Sequence, residues 1–181
     1  MTQKSSVFIG LCNPKSPSNV GSVMRAAGCY GVDSVRYTGT RFGRASKFST
    51  DTHNVSSVIP LIAVTELTED LPEDIKFVCV EFVEGATALP LFRHPDKAMY
   101  VFGPEDGSVA QSLVDRCDAV VYIATHGCMN LAATVNVVLY DRMAKADRKI
   151  DDDERVRQSR DVNNRLIVRK LMRAGADDIS Q

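Results

Sequence analysis

Three continuous apolar runs constrain this chain most: Lys76–Phe82 (KFVCVEF), Ala98–Phe102 (AMYVF) and Ala119–Ile123 (AVVYI). Hydrophobicity that does not alternate marks strands covered on both faces, as in parallel sheets. Ser6–Leu11 (SVFIGL) and Ser34–Thr38 (SVRYT) read as two more strands, and Ile59–Val64 as another that Pro60 opens. Parallel strands need crossovers, and helical patterns lie between the runs. Val20, Val23, Ala27 and Tyr30 share one face of a helix capped by Asn19 and stopped by Gly31, while Gly21 and Arg25 share another. Val109, Leu113 and Cys117 have helical spacing over 108–117, and 129–146 is a helix by length and pattern. The alternation predicts an α/β domain over 1–146, with a mainly parallel sheet flanked by helices.

Residues 13–18 read as loop, because Pro14 and Pro17 remove backbone donors. Gly39 to Ser57 is polar with little periodicity, and a loop that long is usually functional or mobile. Thr65–Leu71 reads as a short acidic helical turn. Residues 147–181 read as a charged extension, helical from about Asp161, with one apolar patch of Leu166, Ile167, Val168 and Leu171.

At 44% apolar and 25% charged, the 181-residue chain is neither disordered nor collagen-like. No stretch approaches the ~18 apolar residues of a membrane span. The run Val7–Leu11 is too short for a signal-peptide core, so a cytoplasmic protein is expected. Cys12, Cys29, Cys79, Cys117 and Cys128 form no C-x-x-C pair, and His53, His94 and His126 lie far apart. Reduced thiols and no metal site are the expectation. The net charge of -1 hides an asymmetry. Residues 1–60 carry 7 basic and 2 acidic residues, 61–141 carry 4 and 13, and 142–181 carry 11 and 8. Basic ends suit a polyanion partner. From charge alone a solvated surface is favoured, since no basic run exceeds two residues.

In open parallel sheets, ligands sit beyond the carboxyl ends of the strands. Three such ends carry unusual loops: Asn13-Pro14 through Asn19-x-Gly21-x-x-x-Arg25, then Gly103-Pro104-Glu105-Asp106-Gly107, then Ala124 to Asn130. Singly, each has a plain alternative as a cap, a turn or a surface residue. No G-x-G-x-x-G follows the first strand, and there is no P-loop and no G-x-S-x-G elbow.

Together the loops resemble something specific. Asn13-Pro14, Asn19-x-Gly21, Arg25, Ala27 and Tyr30-Gly31 are similar to motif 1 of the SpoU (TrmH-like) RNA 2′-O-ribose methyltransferases. Phe102-Gly103-Pro104-Glu105 is similar to motif 2, and Cys128-Met129-Asn130-Leu131 with Val137–Asp141 to motif 3, in the family's order. Three departures stand out: Gly107 follows Glu105 by two residues rather than three, Ala124-Thr125 replaces Pro-Met, and Cys128 replaces Ser.

The resemblance implies a deep trefoil knot in the C-terminal part of the sheet, S-adenosylmethionine bound in the knot loops, and a homodimer with active sites near the subunit interface. Leu131, Val135, Val138 and Leu139 would then be partly interface, or else ordinary core. The implied reaction is methyl transfer to a ribose 2′-hydroxyl, most simply of tRNA, since the chain lacks the extra N-terminal RNA-binding domain of many ribosomal members. A ribosomal RNA substrate and a non-catalytic RNA-binding member are the alternatives. Arg25 is the residue assigned to the hydroxyl proton. Either a phosphate and the local field favour proton loss from it, or it holds the phosphate and stabilises alkoxide charge. Asn19 would orient the Arg25 region or the ribose, Glu105 would organise its loop, and Asn130 would fix the motif 3 loop. Glu81, Phe82, Gly103, Pro104, Ile123, Cys128 and Met129 would surround the cofactor. Lys15, Arg41, Arg44 and Lys47 would grip RNA phosphates, with Arg155, Arg157, Arg160, Arg165, Arg169 and Lys170 of the extension as further candidates.

Overall fold

The computed structural model describes residues 5–46, 59–146, 152–160 and 162–167. The chain divides into two compact units, 1–146 and 147–181. The first is built on a seven-stranded sheet: β1 (Ser6–Leu11), β2 (Ser34–Tyr37), β3 (Leu61–Ala63), β4 (Lys76–Val80), β5 (Thr87–Ala88), β6 (Lys97–Phe102) and β7 (Ala119–Tyr122). Every pairing is parallel, and the order is β3-β2-β1-β6-β4-β7-β5. Leu11 lies opposite Phe102, Phe102 opposite Val80, and Val80 opposite Val121, so four strands end along one line.

The continuous apolar runs have a direct explanation. Along β6, Ala98, Tyr100 and Phe102 join the core under one face, while Met99 and Val101 join a second cluster on the other with Leu67 and Ile75. Both faces being covered, neither set of alternate positions can be polar. The first face carries α1 (Pro17–Tyr30) and α4 (Leu131–Lys145), which pack on one another. Val20, Val23 and Ala27 of α1 are fully buried and Tyr30 packs against them, the predicted face. Gly31 ends α1 with φ 66° and ψ 44°, a left-handed conformation that costs glycine little.

Several boundaries differ from the pattern-based reading. Helix α1 starts at Pro17, not after Ser18, because proline's missing N–H is one of the unpaired donors of a first turn anyway. Its cap is Ser16, whose hydroxyl accepts from the Asn19 amide, so Asn19 is no cap. Residues 41–46, read as loop, form the short helix α2 (Arg41–Ser46), held by Phe42 edge-on against Tyr37 at 5.0 Å. The helix expected over 108–117 is only α3 (Gln111–Val114), because its end tightens into i→i−3 bonds from the Arg116 and Cys117 amides to Leu113 and Val114. The strand expected at 59–64 is only Leu61–Ala63. Helix α4 begins two residues later than its apolar pattern, because Asn130 caps it with extended backbone. A short 3-10 turn, Leu89–Leu91, follows β5.

Leu131, Val135, Val138 and Leu139 are all core residues of the chain itself, at most 8% exposed, which removes them from any interface. In the second unit the helix is α5 (Asp152–Ser159), and 162–167 is non-helical, contrary to the start expected near Asp161. Its interior is acidic and basic in turn, DDERVRQS, which offers i,i+4 pairing such as Gln158 with Glu154 at 3.0 Å. Val168 and Leu171 of the apolar patch lie outside the described residues, as do Lys47, Arg169 and Lys170. No helix among the described residues is long and apolar enough to cross a membrane.

Candidate active site

The carboxyl ends of β4, β6 and β7 open into a cleft of about 280 Å³. Its walls come from Glu81 and Phe82 after β4, Gly103 and Pro104 after β6, and Ile123, Cys128 and Met129 after β7. All seven residues expected around a cofactor therefore line one cavity. Tyr122, Thr125, His126, Leu131 and Thr134 line it too. Tyr122 lies in the AVVYI run, where its apolar neighbours hid it as a strand residue; its ring meets Phe82 edge-on at 5.6 Å.

Three side chains tie the loops together at the cleft. The Glu105 carboxylate accepts from the backbone amides of Lys15 (2.8 Å) and Ser16 (3.0 Å), and from Asn19 Nδ2 (3.0 Å). Asn19 Oδ1 accepts from Asn130 Nδ2 at 2.9 Å. Asn130 Oδ1 in turn accepts from the amides of Ala132 and Ala133, the first turn of α4. Burial works to raise the Glu105 pKa, but the bonds from Asn19 and the two amides outweigh it and hold it below the usual range. Carboxylate charge beside the free amides of a helix start is also favourable in itself. The chain Glu105–Asn19–Asn130 thus joins the ends of β1, β6 and β7 at the starts of α1 and α4.

Asp106 adds an ionic link. It takes both Arg41 contacts (2.9 and 3.0 Å) and Lys15 Nζ at 3.5 Å, and Arg41 chiefly lowers its pKa. Lys15 and Arg41, expected on RNA phosphate, here converge on a carboxylate. Arg44 is exposed on α2. The Asp106 partnership had no sequence signal, since its members lie 65 and 91 residues apart.

Arg25 is not brought to the cleft. It lies on the side of α1 away from Val20, Val23 and Ala27, exposed with Ser18, Gly21, Ser22 and Cys29. It makes no hydrogen bond or ion pair among the described residues.

The Glu81 carboxylate is spoken for: Oε2 accepts from the Val109 amide (3.0 Å) and Oε1 from the Phe82 amide (3.1 Å). A Cβ on Gly103 would stand 3.2 Å from both Glu81 Oε2 and the Val109 nitrogen, so a side chain there would crowd both unless they gave way by a few tenths of an ångström. Beside the cleft, burial pushes the Cys12 thiol up to about 11, which leaves it a small hydrophobe rather than a nucleophile.

Apolar and aromatic walls, glycine backbone at the floor and few free charged groups suit a purine nucleoside lodged by backbone contacts. An all-parallel sheet with a cleft made by three loops at its carboxyl edge defines an open α/β domain with its ligand site at the usual place. The chain belongs to the SpoU rRNA Methylase family, whose model matches residues 6–140. It is 25% identical to the tRNA (cytidine-2'-O-)-methyltransferase TrmJ of Methanocaldococcus jannaschii, over 91% of this chain and 79% of that protein. Among solved structures, one described as giving insight into 2-OH methylation of C/U34 on tRNA superposes with a TM-score of 0.67 at 20% identity, covering 80% of this chain and 92% of that one. The SpoU methyltransferase AviRb of Streptomyces viridochromogenes superposes at 0.63 with 19% identity, over 78% of this chain. This chain spans 62% of AviRb's length, and AviRb has also been solved with the cofactor AdoMet.

Proposed function

We propose that the protein is an S-adenosylmethionine-dependent methyltransferase acting on a ribose 2′-hydroxyl of tRNA. The observation that carries this reading is the Glu105–Asn19–Asn130 chain, which draws the three loops of a SpoU-family domain around one cleft. The tRNA choice is supported by the likeness to TrmJ over most of both chains.

S-adenosylmethionine supplies a methyl group already activated by its positive sulfur. Phe82, Ile123, Cys128 and Met129 would wall its nucleoside part, with backbone of Gly103 and Pro104 beneath. The protein's own task is alignment of the hydroxyl with the methyl–sulfur bond and care of the hydroxyl proton. Glu105, Asn19 and Asn130 hold the loops and α1 in a fixed relation. An arginine side chain keeps its proton in proteins. Arg25 would hold an RNA phosphate and stabilise charge on the oxygen, while the hydroxyl proton passes to solvent water.

Arg25 is exposed and does not line the cleft of its own chain, which favours a homodimer in which it serves the cleft of a second copy. Ala133, Tyr140 and Ala144 are exposed on the side of α4 away from its buried residues, a surface a second copy would cover. The position of β7 between β4 and β5, both earlier in the chain, suits the trefoil knot. Residues 147–181 would add charge to the RNA grip. Cysteines that are all unpaired suit the cytoplasm.

The test uses protein and its Arg25→Ala variant with methyl-labelled S-adenosylmethionine and tRNA lacking the modification, followed by nucleoside digestion. Label in a 2′-O-methyl nucleoside with the unmutated protein alone is expected, and Arg25→Ala should bind the cofactor within about twofold of it. Turnover by Arg25→Ala removes Arg25 from the mechanism. No label on tRNA or ribosomal RNA removes the enzyme reading.

A further inference from the structure

We propose that Glu81 is a positioning residue that latches the cofactor loop shut rather than a ligand of the cofactor. The idea deepens the methyltransferase reading and rests on it for its functional consequence.

The segment 103–109 runs from the end of β6 toward α3. Its first residue is anchored by the strand, and its middle is a turn closed by the Gly107 amide on the Pro104 carbonyl at 3.3 Å. Its far end is held by a side chain from another strand. Glu81 follows β4, its own amide bonded to the Val121 carbonyl of β7 at 3.0 Å, and its Oε2 receives the Val109 amide. Val109 is 7% exposed, so without Glu81 this N–H loses its partner in a place where water replaces it poorly. The second oxygen is occupied by the Phe82 amide, which fixes the carboxylate's plane and turns Phe82 onto Tyr122.

Gly103 belongs to the same device. Any Cβ there would press on Glu81 Oε2 and the Val109 nitrogen together, the two atoms of the latch. The loop so pinned carries Glu105, which fastens the start of α1 through Lys15, Ser16 and Asn19. One carboxylate at the end of β4 therefore sets both the cofactor wall and, through Glu105, the seat of the helix that bears Arg25. One backbone amide holds each of its oxygens, so the chain itself sets the carboxylate's orientation before any ligand arrives.

The experiment combines amide exchange at Val109, read by NMR on the protein without cofactor, with calorimetry of S-adenosylmethionine binding. The variants are Glu81→Ala, Glu81→Gln, Gly103→Ala and the double alanine variant, with thermal unfolding confirming that each is folded. Glu81→Ala should speed Val109 exchange at least about tenfold and weaken cofactor binding about tenfold. Glu81→Gln, which keeps one acceptor, should fall between. The double variant should be little worse than Glu81→Ala, because the latch is lost once. Weakened binding with Val109 exchange unchanged would make Glu81 a direct ligand and overturn the proposal. So would full multiplication of the two single effects. If the unmutated protein binds no S-adenosylmethionine, the methyltransferase reading fails, while Val109 exchange still decides whether the latch exists.

Discussion

The Asn19 side chain donates to Glu105 with its nitrogen and accepts from Asn130 with its oxygen, so its amide is used at both ends. No other residue type of that size presents a donor and an acceptor side by side. Asn19→Asp keeps the shape but sets a carboxylate oxygen 3.0 Å from Glu105, where it replaces attraction with repulsion. Methyl transfer by Asn19→Asp should fall further than by Asn19→Ala, by about tenfold or more, in steady-state assays with labelled cofactor. Equal losses would mean that Asn19 merely fills space. Asp106 is the other informative residue, because it holds Lys15 and Arg41 before any RNA arrives. Asp106→Asn should tighten RNA binding and steepen its salt dependence, measured by filter binding between 50 and 200 mM salt, a range over which phosphate contacts lose much of their strength.

At the scale of elements, the C-terminal half of α4 is fastened by a polar cluster. His94 lies with its Nδ1 2.5 Å from the Tyr100 hydroxyl and its Nε2 2.8 Å from Asp141. Arg142 donates to the Tyr100 hydroxyl and to the carbonyls of Pro95 and Asp96, while Lys145 donates to those of Leu89 and Phe92. The segment 89–96 is thus clasped to the helix. The bonds are all satisfied by neutral His94 with its proton on Nε2, given to Asp141, and Nδ1 accepting from Tyr100. Burial lowers the His94 pKa despite Asp141, with Arg142 and Lys145 adding to the effect. A depressed folded value means that the unfolded chain binds the proton first. The clasp is fully stabilising above the ordinary value of 6.5 and loses its contribution as pH falls through the folded value. Denaturant unfolding should show stability rising with pH up to about 6.5, with part of that slope gone in His94→Gln.

At the scale of the molecule, Arg25 is exposed on α1 and is not among the residues that line the cleft. A homodimer predicts complementation. Arg25→Ala and Cys128→Trp proteins, the second with its cleft filled and each inactive alone, should regain a substantial fraction of activity when mixed and allowed to exchange subunits. A mixture that stays inactive, with exchange verified by mass, would place Arg25 and the cleft it serves in the same subunit.

The sequence by itself determined the parallel sheet, because strands covered on both faces are apolar at consecutive positions, as 77–80, 98–102 and 119–123 are. It also determined α1, through its buried face and Gly31, and it marked the three loops through residues such as Asn19, Gly103, Glu105 and Asn130. Helix α2 and the shortness of α3 were illegible, because the Phe42–Tyr37 contact has no helical period, and the tighter turn at Arg116 and Cys117 leaves the apolar spacing of Val109, Leu113 and Cys117 unchanged. The fate of Leu131, Val135, Val138 and Leu139 was equally hidden, since an apolar helix face looks the same whether a core or a partner covers it. Only the tertiary structure decided which carboxylate serves which partner. Glu81 on Val109, Glu105 on the start of α1 and Asp106 on Arg41 are pairings across 28 to 90 residues, and hydrogen bonds of that separation exist only once the strands have set the loops side by side.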